Sequence, residues 1–183
     1  MSTFSPALMI TIIVGTNRPD AISRKLADQY AEMLQTRHNQ PSQLLDLQEL
    51  PMDFISTALY HNTGKNEAFN AVSQLISHSE KFVFVLPEYN GSFPGVLKAF
   101  IDGLAYPNTF RNKKAALVAI SNGTQGGLLA MSHLTDIFNY LGMHVLANKV
   151  RIPQIQNHIS EGRVTTPFYL ELLDAQAEQF LSF

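Results

Sequence analysis

Phe82-Val83-Phe84-Val85-Leu86-Pro87-Glu88-Tyr89-Asn90-Gly91-Ser92-Phe93-Pro94-Gly95 joins an apolar run, a polar turn and a second proline that opens a short helix pattern, Val96-Leu97-Lys98-Ala99-Phe100-Ile101-Asp102. Phe82 to Leu86 is apolar on both faces of any strand it forms, as in a parallel sheet covered on both sides. The corner after it is therefore a strand's carboxyl end. Open α/β sheets bind their ligands outside such ends.

The same alternation extends in both directions. Leu8 to Val14 reads as a buried strand stopped by Gly15, and Thr16 to Ala21 as a loop. A helix follows from Ile22 to His38, with an apolar stripe of Ile22, Leu26, Tyr30, Met33 and Leu34. Gln43 to Leu47 is a short second strand, and Leu50 to Lys65 is irregular. Asn66 to Ser79 is the second helix, Val96 to Gly103 the third, Ala115 to Ile120 the fourth strand, and Gly127 to Leu141 the fourth helix. Met143 to Ala147 is a fifth strand, Arg151 to Thr166 a polar, turn-rich stretch, and Phe168 to Leu181 a closing helix. Five strands alternating with five helices predict a doubly wound α/β sandwich, a single domain over residues 1–183.

Composition removes several function classes. The 183 residues hold 15 acidic and 13 basic side chains, a formal net charge of -2. Such a chain has no field for a nucleic-acid backbone, and it lacks the strongly acidic surface of a small electron shuttle. With no cysteine, thiolate ligands and cysteine nucleophiles are excluded. The start, Met1 to Pro6, has no basic leader, and no segment reaches the roughly 20 apolar residues of a membrane span. A cytoplasmic protein is the expectation.

In a parallel sheet every strand-to-helix loop emerges at one edge, and three of these loops carry chemistry. Gly15-Thr16-Asn17-Arg18-Pro19-Asp20-Ala21-Ile22-Ser23 offers two hydroxyls, a guanidinium and a helix N-terminus, groups that suit a phosphate. It has neither Gly-x-Gly-x-x-Gly nor a Gly-Lys-Ser/Thr ending, which favours a terminal monophosphate over a pyrophosphate or triphosphate. The plainer account is that Thr16, Asp20 and Ser23 cap the turn and helix while Arg18 is solvated.

Pro87 to Gly95 supplies the mixed donors and acceptors of Glu88, Tyr89, Asn90 and Ser92 beside an aromatic ring, suited to a flat heterocycle. Its plainer account is a tight connection in which Pro94 begins the helix. Ser121-Asn122-Gly123-Thr124-Gln125-Gly126-Gly127 exposes peptide groups in a narrow slot, unless its glycines serve only the turn's dihedrals. Together the loops suggest one elongated phosphorylated ligand. His61, His78, His133, His144 and His158 show no metal-ligand spacing; Asp102 reads as a cap or an interface residue. No metal site and no catalytic side chain is expected.

These loops resemble those of the NADPH-dependent FMN reductase family, a flavodoxin-like group that includes azoreductases and quinone and chromate reductases. The resemblance rests on Pro87-Glu88-Tyr89-Asn90-Gly91-Ser92 with Pro94-Gly95 and Leu97-Lys98, on Gly15-Thr16-x-Arg18 with Ser23, and on Ser121-x-Gly123-x-x-Gly126-Gly127. It covers most of the chain, and Pro19-Asp20-Ala21-Ile22 departs from the family's small, polar filling.

The resemblance implies a three-layer sandwich with a five-stranded parallel sheet in the order 2-1-3-4-5 and noncovalent FMN at its carboxyl edge. Thr16, Arg18 and Ser23 would hold the phosphate. Pro87, Glu88, Tyr89, Asn90 and Gly91 would line the ribityl chain and isoalloxazine, and Ser121, Gly123 and Gly126 would meet the pyrimidine edge. It further implies hydride transfer from NADPH or NADH through FMN to a small-molecule acceptor such as a quinone, azo compound, free flavin or metal oxyanion. A homodimer or dimer of dimers is implied too, with exposed apolar residues of the third and fourth predicted helices as contact candidates. The other readings are a noncatalytic flavin-binding redox sensor or interaction protein and, less compatible with the charge, a flavodoxin-type carrier.

Overall fold

The computed structural model of the chain describes residues 9–183. Its strands are β1 (Ile10–Val14), β2 (Ser42–Asp46), β3 (Lys81–Pro87), β4 (Lys114–Ile120), β5 (His144–Val145), β6 (Val150–Ile152), β7 (Ile159–Ser160) and β8 (Arg163–Val164). Its helices are α1 (Ile22–His38), α2 (Phe54–Thr57), α3 (Glu67–His78), α4 (Gly95–Gly103), α5 (Leu128–Tyr140) and α6 (Pro167–Ser182). The first strand reading began at Leu8, which lies outside the described residues, as does Met1 to Pro6.

The main sheet is parallel in the order β2-β1-β3-β4-β5, with β6 also paired to β4. Helices cover both faces, and each face has its own core. On one, Phe69, Phe82, Phe84, Phe100, Phe110 and Phe138 pack together; on the other, Leu26, Tyr30, Leu34, Val83, Val85, Leu173 and Phe180 do. Odd and even residues of β3 thus serve opposite cores, the two-residue period of a strand that works on both faces. This is why its sequence reads as an unbroken apolar run. β2 stands at the edge, and Ser42, Gln43 and Leu44 are only partly covered.

The structure corrects the reading in four places. β2 ends at Asp46, and Leu47 begins a 3₁₀ turn. The stretch from Leu50 to Lys65 contains α2 and a second 3₁₀ turn at Tyr60–Asn62. The fifth strand is broken in two: Ala115 pairs with Val145 and Val118 with Val150, so Ala116 and Leu117 face the four residues 146–149. The interruption strands the Leu117 carbonyl, and buried Gln176 from α6 donates to it at 3.0 Å and to Asn148 O at 2.8 Å. Finally, residues 151–166 are not plain loop, because they hold the end of β6 and the β7–β8 hairpin. Gln29 of α1 clamps that hairpin, donating to Val164 O and accepting from Val164 N, both at 2.9 Å.

Candidate functional site

In this strand order the chain leaves β1 toward β2 on one side and β3 lies on the other, so the topological switch point is at β1 and β3. A cavity of about 610 Å³ opens there, lined by Arg18 to Ser23 after β1, Pro87 to Tyr89 at the end of β3, Ile120 to Asn122 at the end of β4, and Ile155. The volume is that of an ordinary small-molecule site. Its lining comes from neighbouring strand ends, those of β1, β3 and β4, and from the segment after β6.

At the β1 end the helix N-terminus is open. Ala21 is the N-cap of α1 and caps nothing with its side chain. Asp20 therefore does not cap the helix; it takes a positive φ of 54° and lines the cavity. The Ile22 and Ser23 amides bond to no loop or strand among the described residues, and Arg24 N reaches only Ala21 O at 3.0 Å. Ser23 is buried, and its Oγ is the one buried side-chain polar atom among the described residues without a hydrogen-bond partner. An unsatisfied buried hydroxyl costs about 1–3 kcal/mol. Arg18 is exposed, lines the same cavity and forms no ion pair among the described residues. Uncommitted amides, a guanidinium and an unpartnered hydroxyl thus share one end of the cavity, a set of donors whose chemistry suits an anion.

Thr16 plays another part. It is fully buried, with Oγ1 3.1 Å from the Tyr89 hydroxyl and accepting the Arg18 amide at 3.3 Å. It braces the β1 loop against the β3 corner from behind the cavity wall.

The corner itself is a tight hairpin. Tyr89 and Ser92 exchange backbone bonds of 2.7 and 2.9 Å, with φ of 50° at Asn90 and 73° at Gly91. Positive φ at both central residues is what a type I′ turn requires, and Asn-Gly is its preferred pair. Pro94 is the N-cap of α4, not its first helical residue. Ser92 Oγ lies 3.0 Å from Nδ1 of His133 on α5, the contact that fixes that exposed histidine.

At the β4 end the loop is bonded to itself and to the segment after β6. Ser121 Oγ donates to Gly123 O at 2.8 Å and accepts from Gly126 N at 3.0 Å. Ile155 N and Gln154 N donate to Ser121 O and Gly123 O at 3.0 and 2.9 Å. Gly126 and Gly127 both have positive φ, and a Cβ on Gly127 would stand 2.6 Å from that of Ala119. Those two glycines answer to the fold; Gly123 borders open space. Glu88 closes the N-terminus of α5, its Oε2 accepting Gly127 N at 2.8 Å.

Of the residues singled out in the sequence, Arg18, Ser23, Pro87, Glu88, Tyr89 and Ser121 line the cavity, whereas Thr16, Asn90, Gly91, Gly123 and Gly126 stand behind or beside it. Asn122, within the Ser121 to Gly126 run read from the sequence, also forms a wall, and Ile155 is a wall that sequence reasoning missed. Asp102 is paired with Lys98 at 2.7 Å on α4.

Among the described residues no group of three His, Asp or Glu is disposed to hold a metal, and no helix is long and apolar enough to cross a membrane. A second cavity, of about 560 Å³, lies on the flank between α4 and α5 among Ile101, Leu104, Phe110 and Ile137. It has no strand end and no open helix N-terminus, so the polar cavity at the switch point is the candidate site.

Comparison with known proteins gives the same place a family. Residues 8–157 match the family model of NADPH-dependent FMN reductases. The chain belongs to that family. A 2-hydroxy-1,4-benzoquinone reductase of a Burkholderia species is 29% identical over 161 residues, 86% of this chain and 82% of that protein. A quinone reductase of Pseudomonas putida is 27% identical over 146 residues, 76% and 74% of the two chains. Among solved structures, the flavoenzyme NAD(P)H:(acceptor) oxidoreductase of Paracoccus denitrificans shares the fold, with a TM-score of 0.76, 24% identity and 95% of each chain covered. The three-layer sandwich with sheet order 2-1-3-4-5 is thus the family fold, and the family makes the chain a flavoprotein oxidoreductase acting on small acceptors.

Proposed function

We propose that the switch-point cavity holds FMN noncovalently and that the protein passes reducing equivalents from NADPH or NADH to a small acceptor, a quinone-type ring being the first to test. The observation that carries this is the orphan Ser23 hydroxyl at the open end of α1, in the lining of the 610 Å³ cavity. The residues present fit a terminal phosphate: Ser23 Oγ and the Ile22 and Ser23 amides would donate to its oxygens, and the exposed Arg18 would pair with its charge. Quinone reductases among the relatives support the acceptor class.

When bound, FMN supplies the hydride chemistry. The protein's share is placement. The Tyr89 ring lines the cavity while its hydroxyl is engaged by Thr16, so Tyr89 positions and does not shuttle protons. The Pro87 to Gly91 corner presents backbone groups on a rigid type I′ turn, and the β4 loop is held at the far end by Ile155 and Gln154. No side chain here needs to act as an acid or base.

We further propose that a second copy covers the flank of α4 and α5. Tyr106 and Tyr140 stand 69% and 79% exposed there, with rings stacked at 6.5 Å over the second cavity. Light scattering should find a dimer or dimer of dimers, and Tyr140→Glu should yield monomer.

The experiment for the function is an absorption spectrum of purified protein after FMN reconstitution, then anaerobic addition of NADPH or NADH. Bound yellow flavin that bleaches with the nicotinamide, and recovers with a quinone, is expected. Protein that takes up no FMN contradicts the reading.

A further inference from the structure

Glu88 carries the only carboxylate at the β3 end of the cavity, and its surroundings are unusual. Pro87 precedes it, and its amide donates to Ile120 O at 2.9 Å, so the backbone is fixed between β3 and β4. Glu88 lines the cavity, and among the described residues the sole group bonded to its carboxylate is Gly127 N at 2.8 Å. No Lys, Arg or His among the described residues pairs with it. The one cation lining the cavity, Arg18, belongs to the β1 loop, where Asp20 also stands.

A free helix N-terminus carries roughly half a positive charge and stabilises an anion. At α5 that charge is already matched, with a full negative charge from Glu88 facing it. The neighbouring amides are occupied as well: Gly126 N by Ser121 Oγ and Leu128 N by Gln125 O. The cavity therefore has one end built for an anion and a middle that opposes one.

We propose that Glu88 is a redox-tuning residue, whose carboxylate, held by one backbone amide and paired with no cationic side chain among the described residues, makes the bound flavin a stronger reductant. This rests on the FMN reading above. A flavin ring that takes up two electrons and one proton gains one negative charge. A fixed carboxylate partly withdrawn from water disfavours that charge, so oxidised FMN binds more tightly than reduced FMN. By linkage the midpoint potential of the bound cofactor then falls below that of free FMN. An easily oxidised flavin suits delivery to acceptors of low potential.

The test is the two-electron midpoint potential of FMN bound to wild type and to Glu88→Gln. Glutamine keeps an oxygen for Gly127 N and removes only the charge. Wild type should lie below free FMN. Glu88→Gln should improve the affinity ratio of reduced over oxidised FMN by about tenfold, a rise of ~30 mV for a two-electron couple.

A Glu88→Gln midpoint equal to or below that of wild type overturns the proposal. If that variant fails to hold flavin, the wild-type value decides: a midpoint at or above that of free FMN overturns it. Wild type that binds no FMN removes the function reading and this inference together, whereas FMN bound without a lowered potential removes this inference alone.

Discussion

Two helix N-termini point at the same sheet edge, and their chemistry is opposite. That of α1 is open: no side-chain cap, two unused amides, an unpartnered Ser23 hydroxyl and a free Arg18. That of α5 is plugged, with Gly126, Gly127 and Leu128 amides given to Ser121, Glu88 and Gln125. Both begin after a strand whose residues are buried to its end, so position in the fold does not separate them. Local residues do. On the proposed reading, one helix start would take its partner from a bound phosphate, whereas the other is satisfied by Ser121, Glu88 and Gln125 of the protein itself.

The largest effect should come from breaking the plugged end. Gly127→Ala forces a left-handed alanine against Ala119, and a loss of about 3 kcal/mol is expected from strain and overpacking together. Urea unfolding measures it. A loss below 1 kcal/mol would mean that the α5 start is looser than its geometry (φ 78°, 2.6 Å to Ala119 Cβ).

Next comes the open end. Arg18→Ala should weaken FMN by about tenfold to a hundredfold, the worth of a charge-assisted bond, and leave riboflavin unchanged. Flavin fluorescence titration compares the two ligands. Equal losses for both would remove the phosphate assignment.

Ser23→Ala gives a smaller effect with two signs. FMN should bind severalfold more weakly, while the ligand-free protein should gain about 1 kcal/mol because a buried, unpaired hydroxyl is gone. Thermal unfolding with and without FMN reads both. A ligand-free protein that loses stability would show that Ser23 serves the fold.

The smallest effect concerns the other end of α1, where Arg37 and His38 donate to Asp174 of α6 at 2.8 and 2.9 Å. Burial pushes the Asp174 carboxyl up, but the bonds from Arg37 and His38 and their charge outweigh it, and the group sits below its ordinary range. A carboxyl lowered on folding stabilises the protein above its unfolded pKa of about 3.9, and that contribution is lost as pH falls through the lower folded value. Asp174→Asn should therefore flatten the acid limb below about pH 4 with little change in FMN binding. An unchanged acid limb would exclude this pair as an acid-sensitive tie.

The contrast between the two helix starts was only half legible in the sequence. β1, β3 and β4 announce themselves because both faces are buried, leaving no polar residue to interrupt the run. The Arg18 loop and the Pro87–Gly95 corner were visible because glycine, proline and polar residues cluster right after buried strands. Which groups remain free was not visible. Ser121 lines the cavity while its hydroxyl is bonded inside its own loop, and the Thr16 hydroxyl meets that of Tyr89. These outcomes depend on bonds between residues many positions apart, such as Glu88 with Gly127. β6 was missed because three residues after a bulge carry too little period to read, and the repair comes from Gln176 far along the chain.

The most direct measurement compares the dissociation constants of FMN and riboflavin for wild type, Ser23→Ala and Glu88→Gln. An open α1 and a plugged α5 predict that wild type prefers FMN by about a hundredfold. The preference should shrink in Ser23→Ala and persist in Glu88→Gln. Equal affinity for the two flavins in wild type, or a preference that Ser23→Ala leaves intact while Glu88→Gln abolishes it, would contradict the account.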